Sequence, residues 1–252
     1  MKDPDWPEGY GRRMLGEVGS TNAEGLRLAR DLARPTWVFA ARQLAGRARR
    51  GRVWSDPVGN FAASLVLRPA EAPGQAALRS FVSSLALHDA LSAIVPGAAL
   101  SVKWPNDVLL SGGKLAGILL EASSTASRME HLVIGIGVNL AAVPPQVDGA
   151  VAPVDLRTQT GAEITPERFL YHLAAAYAAR EAVFVAEGFA PIRAAWLDRA
   201  ARLGQPIVAR RMQGETHGIF ETIDAEGHLV LSTPQGREAI PAADVFFSGG
   251  AA

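Results

Sequence analysis

Two apolar runs, Trp37–Arg42 and Asn60–Leu67, enclose a segment that no hydrophobic core can absorb. From Arg42 to Arg52 there are five arginines and two glycines, with no acidic residue among them. A guanidinium without a partner is rarely buried. The segment must therefore be a loop at the surface, and the flanking runs are the strands that deliver it and take it away. Arginines at this density, broken by glycine, suit a loop that closes over anionic oxygens with guanidinium forks and backbone N–H groups. A solvated basic loop, or a nucleic-acid patch, fits the same composition.

A second segment, Lys103–Gly117 (KWPNDVLLSGGKLAG), narrows the choice. The chain has three lysines against 22 arginines, and two of the three are Lys103 and Lys114. Asp107 lies between them, either as a carboxylate for Mg²⁺ carrying nucleotide phosphates or as a residue of an Asn-Asp turn. Together the two segments point to an enzyme that handles phosphates. Charge is balanced, 25 basic against 25 acidic residues, and the pI is near 7.0, which argues against bulk attraction to DNA or an acidic membrane. Cysteine is absent, so disulfides, thiolate metal sites and cysteine nucleophiles are excluded. The five histidines show no metal-ligand spacing. No apolar run is long enough to span a bilayer, and the first residues have no signal-like apolar stretch. A cytoplasmic protein is expected.

The periodicities predict an α+β domain followed by a small barrel. A strand near Met14–Val18 leads into Gly19-Ser20-Thr21-Asn22 and a helix to about Ala33. Ser20, Thr21 and Asn22 can cap that helix, or offer their polar groups to a ligand head. Leu78, Phe81, Val82, Leu85 and Ile94 mark a long amphipathic helix. Strands are predicted near Leu100–Trp104, Leu115–Ala122 and His131–Val138, then a loop over Ala141–Asp155. Thr165-Pro166-Glu167 starts a helix that Gly188 stops, and another spans roughly Pro191–Ala201. After Gly204 five short strand-like runs are separated by Gly, Asp and Pro turns. The expected division is 1–202 for a catalytic domain and 203–252 for the barrel. Gly135-Ile136-Gly137-Val138-Asn139-Leu140 imitates a dinucleotide fingerprint, but its sixth residue is leucine and no βαβ unit surrounds it. Glu121, at the end of its strand, is expected to face solvent or to pair with Lys103.

Taken in order, Ser20-Thr21-Asn22, Gln43, the Gly46–Arg52 loop with Trp54, Lys103–Asp107, Lys114–Leu119 and Gly135–Asn139 resemble the biotin protein ligases. The likeness runs from about residue 14 to the C-terminal runs. It implies a class II synthetase-like mixed sheet with helices packed on it, plus an SH3-like barrel. It also implies an activity: biotin and MgATP give biotinyl-AMP and pyrophosphate, and the biotinyl group passes to a lysine of a biotin carboxyl carrier protein. By the resemblance, Ser20, Thr21, Asn22, Gln43, Arg47, Ala48, Arg49, Lys114 and Gly117 hold biotin. Arg49, Arg50, Arg52, Trp54, Lys103, Asn106 and Asn139 hold ATP, Asp107 holds the metal, and Lys114, Asp107 and Arg49 serve the chemistry. Ala48 stands where the family has glycine, which would disfavour φ > 0 there and alter loop closure. The nearest alternative is a lipoate or octanoate ligase of the same fold, whose arginine/glycine/histidine signature is missing. An RNA- or DNA-binding module is the rival from another class, and it lacks aromatic residues interleaved with the loop. With about thirteen residues before the first strand, no DNA-binding domain is expected, and a monomer or weak homodimer is.

Overall fold

The computed structural model describes residues 3–125, 128–144, 151–211 and 214–247. Seven strands form its main sheet: β1 (Gly11–Val18), β2 (Thr36–Gln43), β3 (Phe61–Leu67), β4 (Leu100–Lys103), β5 (Asp107–Leu110), β6 (Gly113–Thr125) and β7 (Arg128–Val138). They lie in the order β1-β2-β3-β7-β6-β5-β4. β1 and β2 run parallel, and the later neighbours are antiparallel. The helices are α1 (Thr21–Leu28), α2 (Pro73–Ala77), α3 (Arg79–Ile94), α4 (Leu156–Thr160), α5 (Pro166–Glu187) and α6 (Phe189–Leu197).

The pleat sorts side chains between two faces. Trp37, Phe39, Leu65, Leu67, Leu132, Ile134, Ile136 and Val138 join the main core, which α3 and α5 cover. The alternate residues Val38, Val66 and Val133 pack with Ala29 and Leu32 beneath α1 on the opposite face. Further along that second face the strands carry small residues, Ser64, Gly135 and Gly137. Bulk is thus confined to one side, and a hollow opens on the other beside the start of α1. Among the described residues, no helix is long and apolar enough to cross a membrane.

Most expected elements are present, with differences at short ones. Val108-Leu109-Leu110, expected as connection, forms β5, and its pairing sets Asp107 directly opposite Lys103. Four residues are too few to show a period. Helix α4 also went unpredicted; it is one turn, held by Asp155, whose carboxylate accepts from Thr158 N at 2.7 Å. Helix α1 stops at Leu28, and a 3-10 turn over Ala29–Asp31 follows it. Helix α6 begins directly after Gly188, which takes φ 78° and ends α5. The middle of the expected Ala141–Asp155 loop lies outside the described residues.

The C-terminal strands are β8 (Pro206–Arg211), β9 (Gly214–Ile223), β10 (Leu229–Thr233), β11 (Gly236–Ile240) and β12 (Asp244–Phe247), in the order β11-β10-β9-β8-β12. This small antiparallel sheet shares its core with the rest of the chain. Trp196 of α6 lies edge-on to both Phe81 of α3 and Phe220 of β9. Its indole N–H donates to Ser84 Oγ at 3.0 Å, and Trp104 donates to Gly227 O at 3.1 Å. These contacts fix β12 beside the open end of the hollow.

Candidate active site

The floor of the hollow is a chain of uncharged hydrogen-bonding groups. Ser20 occupies the N-cap of α1 without a capping bond from its side chain. The next two side chains turn to the sheet instead of capping. Thr21 N donates to Gln43 Oε1 at 2.8 Å, and Thr21 Oγ1 lies 2.8 Å from Ser64 Oγ. Ser64 donates in turn to Asn22 Oδ1 at 2.6 Å. Thr21, Asn22 and Ser64 are all buried, so each bond forms away from competing water. Gly135 is what lets Asn22 lie flat: a Cβ there would meet Asn22 Oδ1 at 2.2 Å. A Cβ at Gly137 would likewise strike the Trp54 indole at 2.4 Å. The imitation dinucleotide motif is therefore a strand whose glycines make room for two site residues.

The arginine loop is a narrow hairpin over this floor. Arg47 bridges to Val53, Ala48 N donates to Arg52 O at 2.7 Å, and Trp54 N donates to Gly46 O at 2.9 Å. Ala48 is extended, at φ −120° and ψ 177°, a conformation open to any residue. The expected penalty for alanine is absent in this conformation. Positive φ falls instead on Arg50 (57°) and Gly51 (72°). At the tip, three arginines converge on Asp244 of β12. Arg50 Nη1 lies 2.7 Å from Oδ2, while Arg49 and Arg52 each approach Oδ1 at 3.6 Å. Burial holds the Arg49 pKa below its ordinary value, against the attraction of Asp244.

Between floor and hairpin tip stand the two lysines. Lys114 Nζ is 2.6 Å from Asp107 Oδ1, and Lys103 Nζ is 3.8 Å from Asp107 Oδ2. Burial opposes ionisation of Asp107, but Lys114, Lys103 and Arg49 hold its carboxyl below the ordinary carboxylate value. Burial likewise lowers the Lys103 pKa, with Asp107 opposing the shift. Lys114 also sits 5.8 Å from the centre of the Trp54 ring.

Asp107, the residue expected to hold a metal, stands between two cations. Both of its oxygens face ammonium groups, so a divalent ion bound directly there would have to displace or neighbour two cations. Among the described residues, the one grouping of three His, Asp or Glu side chains at ligand spacing is Asp224, Glu226 and His228, away from this hollow. Asp107 is placed as a counter-ion to both lysines. Both expected asparagines border the hollow and bond within it. Asn139 donates to Lys114 O (3.4 Å) and Val154 O (3.1 Å), and its oxygen faces Asn60 Nδ2 at 3.4 Å, so its polar atoms are engaged in pinning strands. Asn106 donates to Ile118 O at 2.6 Å and fixes the turn before β5.

The hollow thus collects Ser20, Thr21, Asn22, Gln43, Arg47, Ala48, Arg49, Arg52, Trp54, Lys103, Asn106, Asp107, Lys114, Gly117 and Asn139 around a cavity of about 220 Å³. Arg50 is the exception; its guanidinium is directed to Asp244. Sequence reasoning missed Ser64 and Asp244 and misplaced Glu121. Glu121 does not meet Lys103 and is only partly exposed: its Oε2 accepts from Asn22 Nδ2 (2.7 Å) and Arg47 Nη2 (3.2 Å). The alternation of Leu119 and Glu121 with the core residue Ile118 was the available signal, since period two puts Glu121 on the hollow's face.

Comparison with known proteins agrees with this geometry. Residues 15–139 match the Biotin/lipoate A/B protein ligase family, and residues 203–248 match the Biotin protein ligase C terminal domain. A Biotin--[acetyl-CoA-carboxylase] ligase of Paracoccus denitrificans is 54% identical over 240 residues, which is 94% of this chain and 100% of that one. The Bifunctional ligase/repressor BirA of Bacillus spizizenii is 31% identical over 90% of this chain and 71% of its own. A solved biotin protein ligase from Aquifex aeolicus, in complex with biotin and ATP, superposes with a TM-score of 0.81 at 25% identity, covering 94% of this chain and 99% of that one. With a relative of that identity spanning nearly all of both chains, this chain belongs to the biotin protein ligase family.

Proposed function

We propose that the chain condenses biotin with ATP to biotinyl-AMP and pyrophosphate, then transfers the biotinyl group to a lysine of the carrier protein of acetyl-CoA carboxylase or a related carboxylase. The observation that carries this reading is the polarity gradient of the hollow. One end is an uncharged floor of Ser20, Thr21, Asn22 and Gln43, suited to a neutral polar head such as a cyclic urea. The other end holds Lys114, Lys103, Arg49 and Arg52, suited to anions. A ligand with a neutral head and a carboxylate tail fits along it, with its carboxylate meeting a nucleotide phosphate at Lys114.

Attack of one anion on another is slow because like charges repel. A fixed ammonium between them lowers the barrier chiefly by preorganised electrostatics. Asp107 holds Lys114 at that point, and a compact ammonium serves it better than a broad guanidinium fork. Arg47 and Ala48 of the hairpin wrap the ligand, Gly117 leaves room beneath it, and Trp54 borders the nucleotide side. Magnesium bound with the nucleotide would supply charge neutralisation at the phosphates, beside the Asp107–lysine group. Closure of the hairpin keeps water from the mixed anhydride until the carrier lysine arrives. We assign residues 1–202 to this chemistry and 203–252 to the barrel that supplies Asp244. The balanced charge, 25 basic against 25 acidic residues, argues against a DNA partner, and the need for ATP accords with the cytoplasm.

The direct test is pyrophosphate release from ATP with biotin, lipoate or neither. Release with biotin alone is expected. Equal release with lipoate would move the chain to the alternative ligase activity.

The lysine census adds an expected result. Lys103 is buried and Lys114 faces Asp107 in the hollow, while Lys2 lies outside the described residues. The described surface therefore offers leaked biotinyl-AMP no free lysine. Replacing exposed Arg13 and Arg237 with lysine should raise self-biotinylation in carrier-free reactions by a few-fold, read by mass spectrometry at those positions. Labelling no greater than in the parent protein would remove the idea.

A further inference from the structure

The hairpin is held at two places. Asp244 holds its tip from the barrel, and Glu121 holds its stem from the main sheet. The second contact is unusual because one oxygen atom serves two partners of different kind. Glu121 Oε2 accepts from Asn22 Nδ2 at 2.7 Å, a group of the ligand-head floor, and from Arg47 Nη2 at 3.2 Å, a group of the lid. The Glu121 side chain is 26% exposed and that of Arg47 45%. The pair is therefore shielded enough to act, yet free to open.

Two hydrogen bonds to one carboxylate oxygen are not independent. Each fixes the side-chain rotamer in which the other is made. Asn22 is held from three further sides. Its oxygen accepts from Ser64, its amide also reaches Leu119 O at 3.3 Å, and it lies flat on Gly135. Glu121 therefore meets the better-packed group on the floor side and the more exposed one on the lid side.

We propose that Glu121 is a positioning residue that couples occupation of the Asn22 floor to closure of the Arg47 stem. It touches no reacting atom. A ligand head that orders Asn22 fixes the Glu121 oxygen, and the fixed oxygen holds Arg47 down. By the reciprocity of linked equilibria, a closed stem then tightens the hold on the head. The proposal rests on the assignment of this hollow to biotin and biotinyl-AMP.

A double-mutant cycle tests it with preformed biotinyl-AMP. Glu121→Gln keeps an oxygen for Asn22 but removes the charge opposite Arg47, and Arg47→Ala removes the other partner. Each single variant is expected to release biotinyl-AMP about fivefold faster than the parent, with the KM for biotin raised and that for ATP unchanged. The double variant should be no faster than the faster single one. Release by the double variant at the product of the two single factors would show that the residues act separately. A Glu121→Gln release rate equal to the parent's, or a changed melting temperature with no change in release, would equally overturn the coupling. The parent is the control for the wider reading: if it makes no biotinyl-AMP, the assignment of the hollow fails, whereas a parent that makes it and a cycle without coupling sink only this inference.

Discussion

Lys114→Ala is expected to slow biotinyl-AMP formation by about 10²-fold or more, the size of loss that follows removal of one positioned electrostatic donor. Biotin should still bind, since the floor of Thr21, Asn22 and Gln43 does not include Lys114. The substitution has a second consequence that must be separated from the first. Asp107 is buried and loses its nearer partner, at 2.6 Å, keeping only Lys103 at 3.8 Å. Breaking a buried pair from one side can cost several kcal/mol, of order 3–5 where nothing else compensates. Some loss of melting temperature is therefore expected with the loss of rate.

The double variant Lys114→Ala, Asp107→Asn divides the two effects. Removing the stranded charge should recover stability, while the reaction stays slow because the ammonium is still missing. Recovery of the adenylation rate along with stability would assign the whole effect of Lys114 to folding. The pair also carries a pH signature. The Asp107 carboxyl is held below its ordinary value in the folded chain. Its contribution is thus present above the unfolded carboxylate pKa and is lost as pH falls through the folded one. Asp107→Asn should flatten that acid limb in a melting series.

The sequence displayed the chemistry where it is contiguous. Five arginines between two apolar runs can only be a surface loop, and two lysines flanking an Asp-containing turn stand out in a chain that otherwise uses arginine. The long strands of the main sheet and the long helices were legible for a similar reason, since their periodicity extends over enough residues, and the short C-terminal strands were legible from the turns between them. What stayed hidden depends on tertiary contact. Ser64 joins Thr21 and Asn22 from 43 and 42 residues away, and Asp244 meets Arg50 across 194. No local pattern marks either. The ion pairs of Asp107 were hidden for a related reason: they depend on strand β5, whose four residues give no period of their own. Gly135 and Gly137 were the missed opportunity. Small residues alternating with Ile136 and Val138 state that one face of β7 is bulky and the other flat, and flatness on a strand face signals close approach by another group.

Arg49 occupies the most constrained position of the hairpin. Its guanidinium is largely buried, donates to Ala243 O at 3.4 Å, and lies within reach of the charges of both Asp244 and Asp107. It therefore spans the seam between the lid, the barrel and the lysine cluster without standing at the reacting bond. Loss of one charge-assisted hydrogen bond is worth roughly 1.5–3 kcal/mol. Arg49→Gly should loosen biotinyl-AMP by about one to two decades, mostly as faster escape, because affinity changes within one site fall mainly on the off-rate. Glycine also adds backbone freedom to the hairpin, so Arg49→Ala is the companion that isolates the side chain. Ala48→Gly makes a contrast. Ala48 is already extended, so its replacement should change release far less than loss of Arg49. Adenylation should survive in all three, and the Arg49 variants should label bystander proteins with biotin. Release of preformed biotinyl-AMP by rapid filtration is the measurement. An Arg49→Gly rate equal to the parent's would show that the arginine hairpin is not the lid. A rate raised by Arg49→Gly but not by Arg49→Ala would place the effect in the backbone, leaving Asp244 a clamp on Arg50 and Arg52 alone.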